Sequence, residues 1–325
     1  MTEQPATGHP AAAPPAAELS ADCARCAGLC CVAPAFTASS EFAISKAAGT
    51  ACPNLQSDYR CGIHDQLRPL GFAGCTTFDC FGAGQQVIQV TFGGRTWRDH
   101  PDLAQAQFGS FAVMRQLHEM RWHVTQALAL IRDLAEPGAA GPGTAEPSAA
   151  GPGTAEPGTA AVTAGLTQAG QTLRTHAEAG PEALATLDVD PLWASVTAVL
   201  RQASQLIRGD VPKGRDRSGA DLMGRHLAGV DLRRASLRGA YLIGTNLAGA
   251  DLRRADLAGA DLRGAQLAGA DLSTSLFVTQ AQLDVARGDA RTKLPPGLRR
   301  PGHWTDPRKG PGASPNRARR PGGGR

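Results

Sequence analysis

Aromatic residues are scarce in this 325-residue chain: 2 Tyr, 4 Trp and 9 Phe, or 5% in all. That scarcity excludes a large aromatic core, and the abundance of Ala, Gly and Pro favours small-residue packing and linkers. No run of eighteen apolar residues occurs, so no membrane span is expected. The first twenty residues have neither a basic start nor a leucine-rich apolar core, so no secretory leader is expected and the chain reads as cytoplasmic. There is no G-x-S-x-G, no P-loop and no strand-borne G-x-G-x-x-G, which leaves a hydrolase or a nucleotide-binding enzyme without support. Cysteine is absent beyond Cys80.

What is present divides the chain. All eight cysteines lie between Cys23 and Cys80. In a reducing compartment such thiols bind metal or do chemistry more often than they form disulfides. Residues 1–21 read as disordered and residues 22–135 as one cysteine-rich unit. The second half of that unit is helical by the spacing of Phe108, Phe111, Met114, Leu117, Trp122, Leu128 and Ile131. The block AGPGTAEP at 140–147 recurs at 150–157, and Pro and Gly at that density mark 136–160 as a spacer. Residues 161–209 read as a helical segment. Its best part is 191–208, with Asp190 as N-cap, Pro191 in the first turn and Gly209 beyond the end. Such a helix can cover the raw apolar end of a solenoid.

Leucine stands at 222, 227, 232, 237, 242, 247, 252, 257, 262, 267 and 272, eleven times at a spacing of five. A helix advances about 100° per residue, so this spacing would scatter the leucines round its axis. A straight strand would alternate them between faces, since five is odd. The chain must turn once per repeat to keep every Leu inside. Ala usually sits two positions before each Leu, with Arg225, Val230 and Thr245 as departures, and Gly recurs at the corner, from Gly224 to Gly269. An Arg at the inward position predicts an opened first coil.

The pattern resembles the pentapeptide-repeat family, A(D/N)LXX, over residues 220–274. The resemblance implies a right-handed β-helix of four repeats per coil, so the expected fold class is mixed. It comprises a small cysteine-rich domain with helices, a Pro/Gly linker, and a right-handed pentapeptide-repeat β-helix over 210–290 with helical caps. Thr279 and Gln282 form a capping box for a short helix ending near Gly288. Residues 291–325 read as a basic, mostly disordered tail.

The cysteines open as CARCAGLCC, giving Cys23, Cys26 and the adjacent pair Cys30 and Cys31, and continue with Cys52, Cys61, Cys75 and Cys80. Thiolates suit zinc or an iron–sulfur cluster, and a C-x2-C turn presents two sulfurs to one metal. Eight thiols suffice for two zinc ions, or for one cluster with sulfurs to spare. Adjacent cysteines fit a single site poorly, because neighbouring side chains point apart. The arrangement resembles the YkgJ-type putative zinc- or iron-chelating family, with its CxxCx(3–4)CC opening. Cys52, Leu55, Cys61, Ile63, His64, Cys75 and Cys80 carry the later part of that pattern. The stretch after Arg68-Pro69 departs from it and loosens the ligand assignment there. The resemblance implies metal binding through the eight cysteines and no reaction. His64 is a packed or surface histidine before it is a ligand, and His118 and His123 read as structural.

The reading preferred on these grounds is a binding protein: a metal-stabilised cysteine domain, zinc or iron–sulfur, tethered to a repeat scaffold that docks a protein partner. The alternative is an iron–sulfur redox enzyme with the repeat as accessory. The pentapeptide resemblance also implies DNA mimicry towards gyrase, but residues 220–274 hold six Asp and seven Arg, with no Glu or Lys. A duplex mimic needs a strongly negative surface. The net charge of +4 does not mark a nucleic-acid reader either. The eight Arg and Lys from Arg299 to Arg325 imply non-specific contact at most.

Overall fold

The computed structural model describes residues 18–135, 157–211 and 214–304. The chain forms two compact units, one drawn from Met1–Asp65 and Asp79–Ala203, the other from Gln66–Phe78 and Ser204–Arg325. Most of the Pro/Gly spacer, the first residues and the end of the basic tail lie outside the described residues. So do both AGPGTAEP blocks, apart from Pro157.

The first unit is built on helix α1, Ala104–Ala135. Phe111, Met114, Leu117, Val124 and Ile131 are buried at three-to-four spacing, which puts them on one face. Against α1 pack α2, Pro157–Ala177, and α3, Pro181–Thr186, through the fully buried Leu166, Leu173 and Leu184. α2 begins at Pro157, inside the expected spacer; proline's fixed φ and missing N–H cost nothing in a first turn. α4 runs Asp190–Arg208. The Asp188 carboxylate accepts from the Asp190 N–H at 3.1 Å, and Gly209 leaves the helix at φ 59°. The pieces before α1 are short, among them Leu29–Val32, the turn His64–Gln66, Ala83–Gln85, a π-helical stretch Gln86–Thr91 and the turn Pro101–Leu103.

The second unit corrects the expected fold class. No β-strand occurs among the described residues, so the chain does not form the right-handed pentapeptide-repeat β-helix; its regular secondary structure is helical. The reason lies in the repeat length. Each pentapeptide spends one residue in extended pairing and then turns at its corner, so pairing never runs long enough to make a strand. Isolated parallel bridges result, each joining residues twenty apart along the repeats, such as Asp231↔Asp251 and Asp251↔Asp271. Bonds flank each bridge: Leu232 N–H to Asp251 O at 2.9 Å and Asp251 N–H to Val230 O at 3.1 Å.

This stack of turns keeps the leucines inside. Leu232 through Leu272 are buried, with Leu252 and Leu257 at 0% exposure. Ala255, Ala265 and Ala270 are equally enclosed. The departures behave by their chemistry. Arg225 is exposed and Leu227 and Val230 are half-buried, so the first coil is open there. Thr245 is buried and satisfies its hydroxyl on Leu222 O at 2.7 Å. Most corners are glycines at positive φ, while Arg234 and Arg254 take the same left-handed conformation at φ 61° and 56°.

The last turn of α4 is pinned to this unit. Ser204 Oγ donates to Asp256 Oδ2 at 2.6 Å, and Arg238 donates to the same oxygen at 2.9 Å. Arg208 and Arg234 each donate to the other's carbonyl oxygen. At the far end, α5, Gln280–Val285, carries the Thr279–Gln282 capping box in full. The stack outlasts the leucine pattern, with bridges Gln266↔Arg287 and Asp271↔Lys293. Leu294, Leu298 and Trp304 pack on the leucine core, so the tail is anchored well past residue 291. The indole N–H of Trp304 donates to Ala286 O at 3.0 Å.

Candidate metal centre

The cysteine region holds its thiols through tight turns and a few long-range bonds. Cys26 precedes Ala27 and Gly28, at φ 48° and 65°; Cys80 precedes Phe81 and Gly82, at φ 47° and 76°. Left-handed backbone at Ala27 and Phe81 is unfavourable for residues with a Cβ. The backbone N–H of Gly28 acts to lower the pKa of Cys26, those of Gly82 and Gly84 that of Cys80, and that of Ile63 that of Cys61, each against larger effects that raise it. Donation to sulfur favours the thiolate, the form that ligates metal.

Both turns are braced from the body of the unit. Trp97 Nε1 donates to Ala27 O at 2.8 Å, and His118 Nδ1 donates to Phe81 O at 2.7 Å. Buried Gln85 bridges Asp22 N–H and Ser20 O, at 2.9 and 2.8 Å, and so carries the start of the cysteine run to the Cys80 turn.

These braces bring Cys23, Cys26, Cys30 and Cys80 round one cavity of about 20 Å³, closed by Gly84 and Phe111. That is the space of about one water molecule. A Cβ on Gly84 would stand 2.7 Å from that of Cys26, so only glycine fits there. Cys31 touches Cys30 and also meets the Cys52 loop. Cys52 N–H donates to Cys31 O at 2.9 Å, and Leu55 bridges Cys61. The Cys30 and Cys31 sulfurs are 3.9 Å apart.

Seven of the eight predicted thiols therefore belong to the first unit, and four of them line one cavity. Cys75 lies in the second unit, exposed, on the short helix Ala73–Thr76. His64 is exposed. His118 is buried, and desolvation lowers its pKa to about 4, which makes it a neutral structural group.

The thiols are not in coordination geometry: among the described residues, no group of three or more His, Cys, Asp or Glu side chains is arranged to hold a metal ion. The fit to a thiophilic metal is one of donor type and backbone placement. Four of the free thiols, Cys26, Cys30, Cys61 and Cys80, are shifted towards the protonated form. The Cys23 contact and burial push Cys26 up, its Cys31 neighbour and burial push Cys30 up, and burial pushes Cys61 and Cys80 up. Cys31 alone is lowered, by its bond to Cys30.

Sequence reasoning missed Lys46, which is buried with its Nζ donating to the carbonyl oxygens of Val32, Pro34, Ala47 and Thr50. It also missed the glycines after Cys80. The run Phe81-Gly82-Ala83-Gly84 was their only signal, while nothing near Lys46 marks it.

The fold and the repeat geometry define a protein with a pentapeptide-repeat scaffold. The family model described as Pentapeptide repeats matches residues 218–253 and 235–273, in 8 copies. The chain is also 44% identical over 292 residues to "Uncharacterized protein YybG" of Bacillus subtilis (strain 168), covering 88% of this chain and 95% of that one. It belongs to the family of that protein, and the likeness extends far beyond the repeats. No helix among the described residues is long and apolar enough to cross a membrane.

Proposed function

We propose that the chain is a thiolate metal-binding protein, zinc or iron–sulfur, whose repeat scaffold docks a protein partner. The observation that carries the metal reading is the cavity lined by Cys23, Cys26, Cys30 and Cys80. Cys31, Cys52 and Cys61 extend the donor set within the first unit. A bound thiophilic metal would supply the positive charge that lets crowded, buried thiols lose their protons. The protein's part is to hold the sulfurs close and exclude bulk water with Phe111. The test is anaerobic purification of the full chain with metal analysis: metal bound in the parent chain and depleted by Cys26→Ser supports the reading.

The docking reading rests on the repeat. Met223 and Tyr241 stand half-exposed, at 51% and 52%, and the Asp221↔Tyr241 bridge places them on neighbouring coils. Large apolar side chains exposed on a scaffold are candidates for contact with a partner. Tyr241→Asp would abolish partner binding without unfolding the stack, since the side chain already faces water; retained binding would count against this surface.

A further inference from the structure

Cys30 and Cys31 stand side by side in the one-turn helix Leu29–Val32, and their sulfurs are 3.9 Å apart. Adjacent residues of a helix do not ordinarily face each other, so this contact belongs to the site and not to helical geometry. Both cysteines are free and half-buried, whereas Cys26 and Cys52 are buried. A reagent in solution therefore meets the pair before it meets those two neighbours.

The turn that carries the pair is fixed on one side and carries a loop on the other. Upstream, Trp97 Nε1 donates to Ala27 O at 2.8 Å. Gly28 is packed so closely that a Cβ there would stand 2.7 Å from the Leu55 side chain and 3.1 Å from Tyr59 O. Within the turn, Cys31 N–H donates to Gly28 O at 2.8 Å and Ala33 N–H to Leu29 O at 2.9 Å. Downstream, Cys31 O accepts from Cys52 N–H at 2.9 Å, and Val32 O accepts from Gly49 N–H and from Lys46 Nζ, each at 3.0 Å. The carbonyls beside and after the sulfur pair thus hold the chain from Lys46 to Cys52.

We propose that Cys30 and Cys31 are a reversible dithiol–disulfide couple, a modification site whose closure loosens residues 46–52. The inference goes beyond the metal-binding reading and does not rest on it. A disulfide needs its sulfurs about 2.05 Å apart and its Cβ atoms about 3.8 Å apart. Adjacent helical side chains splay, so closing the ring opens the turn. The upstream side is clamped, and the movement passes to the carbonyls of Cys31 and Val32. The peptide bond holds the two Cα atoms about 3.8 Å apart, below the about 4.4 Å at which ordinary bridges begin, so the ring is strained and reopens readily with a thiol.

The oxidant is a small-molecule disulfide. One thiol of the pair loses its proton and attacks a sulfur of that disulfide, which expels one small thiol and leaves a mixed disulfide. The neighbouring thiol loses its proton, attacks the protein sulfur of that bond and expels the second small thiol. The protein gives up two electrons and two protons, and the small disulfide takes up both to leave as two thiols.

The full chain, parent and Cys31→Ser, is treated anaerobically with bis(2-hydroxyethyl) disulfide, with and without a chelator, then alkylated and cut with trypsin. The tryptic peptide of residues 26–46 holds Cys26, Cys30 and Cys31. In the parent chain it should carry its alkyl group on Cys26 and be two hydrogens lighter at Cys30 and Cys31. Dithiothreitol before alkylation should restore alkylation of every cysteine in the peptide. Hydrogen exchange at the Gly49 and Cys52 amides should be at least tenfold faster in the oxidised parent than in the reduced parent, and unchanged by the oxidant in Cys31→Ser. Full alkylation of the pair under both conditions, a lasting mixed disulfide, or a bridge from Cys30 to Cys26 or Cys80 overturns the couple. A closed ring with unchanged exchange at both amides overturns its hold on the loop. The comparison of oxidised with reduced parent stands even where Cys31→Ser folds poorly.

Discussion

Leu252→Ala and Leu227→Ala make the same chemical change at the same repeat position and should have very different consequences. Leu252 is 0% exposed and stacks between Leu232 and Leu272, also buried, one coil to either side. Its backbone is tied on one side by Leu252 N–H to Asp271 O and on the other by Asp251 N–H to Val230 O. The coils cannot close over the lost atoms, so the cost falls towards the upper part of the usual range for such truncations, about 3–4 kcal/mol. Leu227 is half-buried beside the exposed Arg225 and has less to lose, about 1 kcal/mol. Because the chain has two units, a single melting curve mixes their transitions. Hydrogen exchange read by mass spectrometry over residues 232–272 isolates the stack. Leu252→Ala should accelerate exchange of the cross-coil amides by a few hundredfold, and Leu227→Ala by about fivefold. Equal acceleration in the two variants would refute the burial gradient and, with it, the stacking of the leucines.

Other outcomes follow from named contacts. Asp256→Ala leaves Ser204 and Arg238 without their shared acceptor and should cost about 2–4 kcal/mol, measured by the same exchange over α4's last turn. Arg253→Ala, which breaks a half-exposed pair with Asp251, should change stability by less than about 1 kcal/mol. Gly84→Ala drives a methyl into Cys26 and should lower metal affinity and the melting temperature of the first unit together. His118 has its pKa lowered in the fold from 6.5 to about 4, so the unfolded chain binds more protons between those values. Stability of the first unit should therefore fall as pH drops from about 6.5 to 4, by about 3 kcal/mol. His118→Gln should flatten that part of the denaturation profile.

The leucine period was legible because it is a property of single positions. Eleven leucines at a spacing of five admit neither a helix nor a straight strand, and the buried column from Leu232 to Leu272 follows. The conclusion that the coil is a β-helix did not follow, because one paired residue per repeat, as at Asp251, yields a bridge and no strand. The α5 capping box and the long helix α1 were legible for local reasons, namely Thr279 with Gln282 and the spacing from Phe111 to Ile131. Past the last repeat the pattern fails but the packing continues. Leu294, Leu298 and Trp304 reach the core from a stretch whose basic composition hides them.

In the cysteine region the residue types were legible and their grouping was not. Cys80 joins Cys23 and Cys26 only because Gln85 reaches back to Ser20 and Asp22. The expectation that the adjacent Cys30 and Cys31 side chains point apart did not hold: their sulfurs stand 3.9 Å from one another. Cys75 shares the motif yet lies in the other unit, which spacing alone could not reveal. Lys46 is set by four carbonyls that lie one to fourteen residues from it along the chain, with no local signature at all.

The most direct test of the thiolate centre is metal content and absorption of the full chain purified anaerobically, beside the chain with Cys23, Cys26, Cys30 and Cys80 changed to serine. The account predicts zinc, or iron with sulfide and charge-transfer absorption, in the parent chain, little or none in the serine chain, and a first unit that melts earlier when a chelator strips the metal. A well-folded, metal-free parent chain whose melting ignores chelators would contradict it.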